Sequence, residues 1–254
     1  KIPGFLHKEN NPVLSFNRRI IEATAEFAAA FKLNIAFYES LGVKGWKLLE
    51  QTLAHLPPDL LTIADAKRAD IGNSSRKYAE AFFKTFSFNA VTVAPYMGYD
   101  SVAPFLEYED RGVFVLCLTS NPGAQDFQYL PVEGEPLYLH VTRKVNDWNS
   151  QHGNCGLVVG ATRGEEVSRI RQAAPELPFL IPGVGVQGGD LQNAVLNGTD
   201  RSGTSALINA SRSIIYASAE KDFAESAARA ARRLKEEFNT YRDRKRNQVS
   251  TELC

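Results

Sequence analysis

Four charged residues follow one another closely at the end of an apolar run. Asp65, Lys67, Arg68 and Asp70 come directly after Leu61-Thr62-Ile63-Ala64, whose composition is typical of a strand. Charges this close are costly to bury unless they compensate one another. If the apolar run is a buried strand, these charges lie at its C-terminal end and must compensate one another. The alternative is a strand that runs into a solvated, salt-bridged helix start.

Lys32 is a further candidate for this group of charges. It lies within Phe31–Ala36, a short strand-like segment, where an unpaired ammonium is costly. It therefore needs a carboxylate, and Asp65 on the neighbouring strand is the nearest candidate. The alternative is an ordinary lysine whose stem is buried and whose ammonium reaches solvent.

Seven short apolar strands, separated by helical stripes, are expected to position these residues. The strands begin near Phe31, Leu61, Ala90, Val113, Gly156, Pro178 and Ser205. Regular alternation predicts a parallel sheet with helical crossovers, and the length of 254 residues suits an α/β fold of the TIM (β/α)8 barrel type. A doubly wound open sheet is the alternative. Because the pattern starts with a helix, we expect the first strand to lie upstream of Lys1.

Composition narrows the class of protein. The 29 basic and 29 acidic residues balance, which argues against a nucleic-acid or anionic-membrane surface, and no apolar run approaches the roughly 18 residues of a membrane span. The three cysteines are scattered and the four histidines lack ligand spacing, so we expect a cytoplasmic protein without a histidine-built metal site. We expect residues 1–254 to form a single domain, with 242–254 as a peripheral polar tail.

Polar residues follow several other predicted strands, where the functional residues of a barrel collect. Ser120 and Asn121 offer donors and acceptors, although Ser-Asn-Pro-Gly is also a common turn. The glycine-rich segment Pro182–Asp190 precedes a helix that Asp190 can cap. Arg212 carries a planar guanidinium whose N–H groups suit phosphate oxygens. A tight turn would explain the glycines alone, but together with Arg212 they favour a phosphate site.

The motifs together resemble the orotidine 5′-phosphate decarboxylase family. The signature Asp-Ala-Lys-Arg-Ala-Asp-Ile is present as Asp65–Ile71. Five further blocks occur in the family's order: Phe31–Glu39, Val93–Gly98, Thr119–Gly123, Pro182–Asp190 and Ser211–Ile214. The likeness runs from Ser15 to Ser218. The family's Gly-Leu-Asp-Pro-like first strand, whose aspartate contacts the substrate ribose, is absent here, which fits the expected upstream strand.

The resemblance implies decarboxylation of orotidine 5′-monophosphate to uridine 5′-monophosphate without a cofactor or metal. The family's catalytic array corresponds to Lys32, Asp65, Lys67 and Asp70. Lys67 would give its proton to pyrimidine C6, and Asp65 would lie near the departing carboxylate. Asp70 would reach into the neighbouring subunit's site, which implies a homodimer.

The resemblance also assigns substrate-binding residues. Gln187 and Arg212 would bind the phosphate of the substrate. Pro182 and Gly188, which lie in the same block as Gln187, would also belong to the substrate-binding site. Ser120 would read the pyrimidine edge, next to Asn121. Ser74, close to Ile71 of the signature, would contact the ribose or phosphate of the partner's site.

Two rival functions remain open at this point. Related barrels act on sugar phosphates through Mg²⁺ and an enediolate, and share an Asp-x-Lys-x-x-Asp array; Lys32 and the Ser-Asn-Pro block favour the pyrimidine enzyme. A nucleotide-binding barrel that has lost its chemistry is the non-enzyme alternative, and the intact charge array argues against it.

Overall fold

Seven parallel strands form the main sheet of the structure, a computed structural model that describes residues 2–161, 164–184 and 190–252, with side chains to residue 248. The strands of the chain are β1 (Ala30–Asn34), β2 (Leu61–Arg68), β3 (Ala90–Val93), β4 (Gly112–Leu118), β5 (Pro131–Val132), β6 (Glu135–Pro136), β7 (Cys155–Val159), β8 (Phe179–Pro182) and β9 (Ala206–Asn209). The main sheet has the order β1-β2-β3-β4-β7-β8-β9 and is nearly closed, like a barrel. The predicted parallel α/β architecture is confirmed.

Helices precede the first strand of this sheet, connect its successive strands and follow its last strand. They are α1 (Pro12–Thr24), α2 (Ala36–Glu39), α3 (Val43–Leu53), α4 (Gly72–Glu80), α5 (Tyr99–Leu106), α6 (Leu137–His152), α7 (Gly164–Ala173), α8 (Leu191–Gly198), α9 (Arg212–Ile215) and α10 (Phe223–Glu252). Asp190 caps α8 as predicted, because its carboxylate accepts hydrogen bonds from the N–H groups of Gln192 and Asn193. No helix among the described residues has the length and apolar character that a bilayer span requires.

The two faces of the sheet bury different sets of side chains, as the alternation of strand residues requires. One face forms a small cluster built from Ile63, Ala90, Phe114, Val158 and Leu180. The other face packs against the helices in the main core. Lys32 and Asp65 belong to the first face, since Lys32 is paired with Ile63 and Asp65 lies two residues beyond it.

Three parts of the chain add to the predicted pattern. β2 continues past Ala64 to Arg68, because the strand pairs again with β3 at Val93 after an irregularity. The segment between β4 and α6 contains a 3-10 turn, Pro122–Asp126, and the β5–β6 hairpin. The last helix, α10, continues through most of the polar tail 242–254 to Glu252.

The extended part of α10 contacts the body of the protein. Lys245 Nζ donates hydrogen bonds to the backbone carbonyls of Leu196 and Thr199, each at 2.7 Å. Arg246 Nε donates to the carbonyl of Ser202 at 2.6 Å. The division into one domain, 1–254, with a peripheral tail at 242–254 stays a prediction.

Candidate active site

Asp65 forms the centre of a group of three charged side chains at the C-terminal end of the sheet. Lys32 Nζ donates a hydrogen bond of 2.6 Å to Asp65 Oδ2, and Lys67 Nζ donates to Asp65 Oδ1. The side chains of Lys32 and Asp65 are only 10% and 12% exposed, whereas that of Lys67 is 49% exposed. The alternative of a solvated helix start is therefore wrong for Asp65, which lies within β2 and is buried.

The surroundings of Asp65 favour its ionised form. Burial alone would raise the pKa of this carboxyl, but the charge and hydrogen bond of Lys32, together with Lys67, hold the pKa below its ordinary value. Asp65 is thus a carboxylate at neutral pH, with one buried and one accessible ammonium against its two oxygens. Such an arrangement offers a fixed cation and a proton to a group that develops negative charge.

Lys67 occupies an unusual backbone conformation within β2. Its φ is +49°, in the left-handed region that residues with a side chain rarely adopt. The pairing of β2 with β3 shifts register between Ala64 and Arg68, so that Lys67 lies in a bulge of the strand. Strained backbone of this kind is frequent at functional sites, where the surrounding structure holds it in place.

Arg68 points away from the charged group and joins three neighbouring elements. Its guanidinium pairs with Glu39, the last residue of α2, and lies 5.2 Å from the ring of Tyr78 and 5.4 Å from that of Phe82. A further N–H donates to the Ala66 carbonyl at 3.0 Å. Arg68 therefore fixes the β2 segment that carries Lys67 against the helices behind it.

Asp70, Ile71 and Ser74 lie just beyond β2, outside the group of three. Asp70 is half-buried, and its Oδ1 accepts a hydrogen bond of 2.8 Å from the Ile71 N–H. Within the described part of the chain, no basic side chain forms an ion pair with Asp70. Ile71 is 53% exposed, and Ser74 in the first turn of α4 is exposed. The structure does not bring Asp70 into contact with Lys32 or Lys67.

Ser120 and Asn121 follow β4 at the same edge of the sheet. Both are exposed, and Asn121 Oδ1 accepts a hydrogen bond of 2.6 Å from the Thr119 hydroxyl. The Gln128 side chain accepts from the Thr119 N–H at 2.7 Å, which anchors the start of this loop. A Cβ on Gly160 would lie 2.9 Å from the Ser120 nitrogen, so only glycine lets β7 approach the loop this closely.

The predicted phosphate site is described only in part. Pro182 ends β8 and is paired with Asn209 of β9, while Arg212 is the exposed first residue of α9. Pro182 and Arg212 thus lie at the C-terminal ends of two adjacent strands. Gln187 and Gly188 lie outside the described residues.

Two residues that the sequence did not single out contact the predicted site. Gln128 holds the Ser120 loop, and the hydroxyl of Thr92 in β3 contacts the bulge of β2. A threonine in an otherwise apolar strand was the available signal for Thr92. No group of three or more histidine, cysteine or acidic side chains that could hold a metal ion occurs among residues 2–161, 164–184 and 190–248.

Comparison with known proteins gives the class first. A family model described as "Orotidine 5′-phosphate decarboxylase / HUMPS family" matches residues 14–229, and the chain belongs to this family. The orotidine 5′-phosphate decarboxylase of Dehalococcoides mccartyi is 52% identical over 235 residues, which cover 91% of this chain and 87% of the relative. That of Herpetosiphon aurantiacus is 48% identical over 233 residues, covering 91% and 85%.

A solved structure of an OMP decarboxylase is also similar to this chain. The structure of Leishmania donovani OMP decarboxylase superposes with a TM-score of 0.84 at 40% sequence identity, covering 90% of this chain and 87% of that one. The resemblance predicted from the motifs is confirmed.

Proposed function

We propose that this chain decarboxylates orotidine 5′-monophosphate to uridine 5′-monophosphate in pyrimidine synthesis, and that Lys67 supplies the proton. The reaction is that of its relatives, which are orotidine 5′-phosphate decarboxylases at 52% and 48% identity over 91% of the chain. The observation that carries the chemistry is the contact of one buried carboxylate, Asp65, with both Lys32 and Lys67.

The charge arrangement suits the proposed transition state. As the bond between C6 and the carboxylate breaks, its electron pair stays on C6 and CO₂ leaves. A fixed ammonium beside C6 stabilises this charge more than it stabilises the ground state, which is the condition for catalysis. The proton then moves from Lys67 Nζ to C6, and the neutral amine takes a proton from solvent. Lys67 suits this step because its side chain is accessible while that of Lys32 is buried.

The proposed roles of the remaining residues concern substrate binding. Arg212, with Gln187 and Gly188, would hold the phosphate near the end of Pro182, and Ser120 with Asn121 would read the pyrimidine edge. The position of Arg212 supports the phosphate site: it lies just after β9, the strand that pairs with Pro182, and phosphates of barrel enzymes bind after the last two strands. Phosphate binding supplies energy that holds the substrate over the charged group.

A homodimer completes the proposed site. The half-buried Asp70 carboxylate has no basic partner in the described chain, as expected of a group that serves a second subunit. Ile71 beside it is 53% exposed, and on the loop after the paired strand β3 Tyr96 and Met97 are 86% and 44% exposed. A second copy would cover these apolar side chains and bring Ser74 to its partner's substrate.

We also propose that the main sheet is that of a (β/α)8 barrel. β1 and β9 are the two edges of the seven-stranded sheet, and one further parallel strand between them would close it. A cytoplasmic location stays a prediction that rests on the scattered cysteines.

The second candidate function is that of a sugar-phosphate enzyme. The matching family model covers the orotidine 5′-phosphate decarboxylases together with a second branch, HUMPS, whose enzymes act on sugar phosphates. Those enzymes need Mg²⁺, whereas the buried Lys32 ammonium already supplies positive charge against Asp65. Assay with orotidine 5′-monophosphate and excess chelator separates the two. We expect undiminished loss of the substrate's ultraviolet absorbance; activity that the chelator abolishes, or turnover only of a sugar phosphate with Mg²⁺, would contradict the proposal.

A further inference from the structure

Three residues of β2 lie opposite a single residue of β3. The strands pair at Ala64 with Val91 and again at Arg68 with Val93. Asp65, Ala66 and Lys67 therefore share one counterpart, Thr92. An interruption of this size leaves backbone N–H groups of the bulged strand without their ladder partners, and buried N–H groups need a replacement.

The hydroxyl of Thr92 supplies that replacement. Its Oγ1 accepts hydrogen bonds from the N–H groups of Ala66 and Lys67, each at 3.0 Å. The same hydroxyl donates to Asp65 Oδ1 at 3.3 Å. A hydroxyl has one donor and two acceptor positions, so its whole capacity goes to the three residues of the bulge. Thr92 is 1% exposed, and solvent cannot take over these bonds.

We propose that Thr92 is a positioning residue for the decarboxylation, which holds the Asp65–Lys67 bulge in the conformation that presents both side chains to the substrate. This inference rests on the proposed function. Lys67 adopts a left-handed φ of +49°, which costs energy and persists only where surrounding contacts enforce it. The bond to the Lys67 N–H is such a contact, and the bond to Asp65 sets the carboxylate that pairs with Lys67.

Removal of the hydroxyl has a defined structural consequence. Without an acceptor, the N–H groups of Ala66 and Lys67 are unsatisfied, and the bulge relaxes so that they reach other partners. The Lys67 ammonium then moves relative to the substrate. Thr92 does not touch the substrate in this account, so ground-state binding through the phosphate is retained while the chemical step slows.

The test compares Thr92→Val, which keeps the shape and loses the hydroxyl, with Thr92→Ser, which keeps the hydroxyl. Thr142→Val is the matched control, because Thr142 is also fully buried and its hydroxyl donates to the Tyr138 carbonyl in α6, away from the site. We expect Thr92→Val to lower kcat by about 10- to 100-fold, with KM changed by less than about threefold, as misplacement of reacting groups predicts. Thr92→Ser and Thr142→Val should stay within about threefold of wild type.

Two further readouts separate positioning from loss of folding. Binding of uridine 5′-monophosphate by calorimetry should be retained in Thr92→Val, and amide exchange at Ala66 and Lys67 should become faster. The acid limb of its kcat profile should move to higher pH, since the Asp65 carboxylate loses a donor. If Thr92→Val does not fold, Thr92→Ala removes the same hydroxyl without adding a methyl group.

Three results would overturn the inference: wild-type kcat in the hydroxyl-free variants, a loss confined to KM, or a kcat in Thr92→Ser as low as in Thr92→Val. Each presupposes wild-type turnover of orotidine 5′-monophosphate. A wild-type protein without turnover would instead refute the proposed function, so the two failures are distinguishable.

Discussion

Lys32 and Asp65 form an ion pair on adjacent strands in which the two side chains are 10% and 12% exposed. An ion pair this well buried is costly to form, and removal of one partner leaves an uncompensated charge. A functional role explains why the fold contains this costly pair: Lys32 keeps Asp65 ionised in the site where the substrate would bind.

Replacement of Lys32 should therefore reduce stability in a pH-dependent way. Lys32→Met is expected to lower the free energy of unfolding by about 2–4 kcal/mol at neutral pH. This is less than the cost of a buried carboxylate without any partner, because Lys67 still contacts Asp65. The folded-state pKa of Asp65 lies below its unfolded value, so this stabilisation is present above roughly pH 4 and is lost as the pH falls through the folded pKa.

Urea denaturation at several pH values measures this effect. The difference between wild type and Lys32→Met should be greatest near neutrality and shrink in acid, while Lys77→Met, at an exposed pair with Glu80, should show little change. A difference that is independent of pH would contradict the role of Asp65 ionisation.

Variants of Asp70 and Lys67 should restore each other's activity when they form mixed dimers, because the two residues serve one site from different subunits. Asp70→Asn and Lys67→Ala should each be nearly inactive, but a mixture refolded together should recover about a quarter of wild-type activity, because half of the dimers are mixed and each has one intact site of two. Activity of the refolded mixture equal to the sum of the parents would place Asp70 and Lys67 in the same subunit's site.

Arg212 should act through the phosphate group of the substrate. Loss of a charged hydrogen bond worth about 1.5–3 kcal/mol predicts that Arg212→Ala lowers kcat/KM for orotidine 5′-monophosphate roughly 10- to 150-fold. The nucleoside orotidine, which has no phosphate, serves as the control substrate. Its kcat/KM should be the same in both proteins, and an equal loss for both substrates would argue against a phosphate contact.

Arg68 should stabilise the fold through Glu39. Arg68→Met is expected to lower the free energy of unfolding by about 1–3 kcal/mol, because the Arg68 side chain is only 18% exposed and its guanidinium also lies over the rings of Tyr78 and Phe82. A double-mutant cycle with Glu39→Gln measures the pair directly. We expect a coupling energy of about 0.5 kcal/mol or more; additive effects would show that the ion pair contributes nothing.

Much of this arrangement could be predicted from the sequence because parallel strands are buried on both faces and read as short apolar runs. The same logic predicted the contact of Lys32 with Asp65, since both lie on neighbouring strands and a buried ammonium needs a carboxylate. The chain order of strands and helices then placed Ser120, Pro182 and Arg212 at one edge of the sheet.

The bulge at Lys67 could not be predicted in this way. The bulge depends on the register between β2 and β3. The apolar composition of the strand predicts an end at Ala64, before the charged residues, whereas the pairing continues to Arg68. For the same reason the role of Thr92 could not be predicted: its polar side chain in an apolar strand was a signal, but its hydrogen bonds to Asp65, Ala66 and Lys67 depend on that register. Long-range pairing, which local sequence does not encode, decides both features.

The most direct test of the central claim is the turnover of orotidine 5′-monophosphate by wild type, Lys67→Ala and the control Lys77→Ala, followed by ultraviolet absorbance. Lys77 lies on α4 in an exposed pair and its replacement should leave kcat unchanged. A missing general acid and cation predicts that Lys67→Ala loses at least about 100-fold in kcat while it still binds uridine 5′-monophosphate. Wild-type turnover by Lys67→Ala would contradict the account.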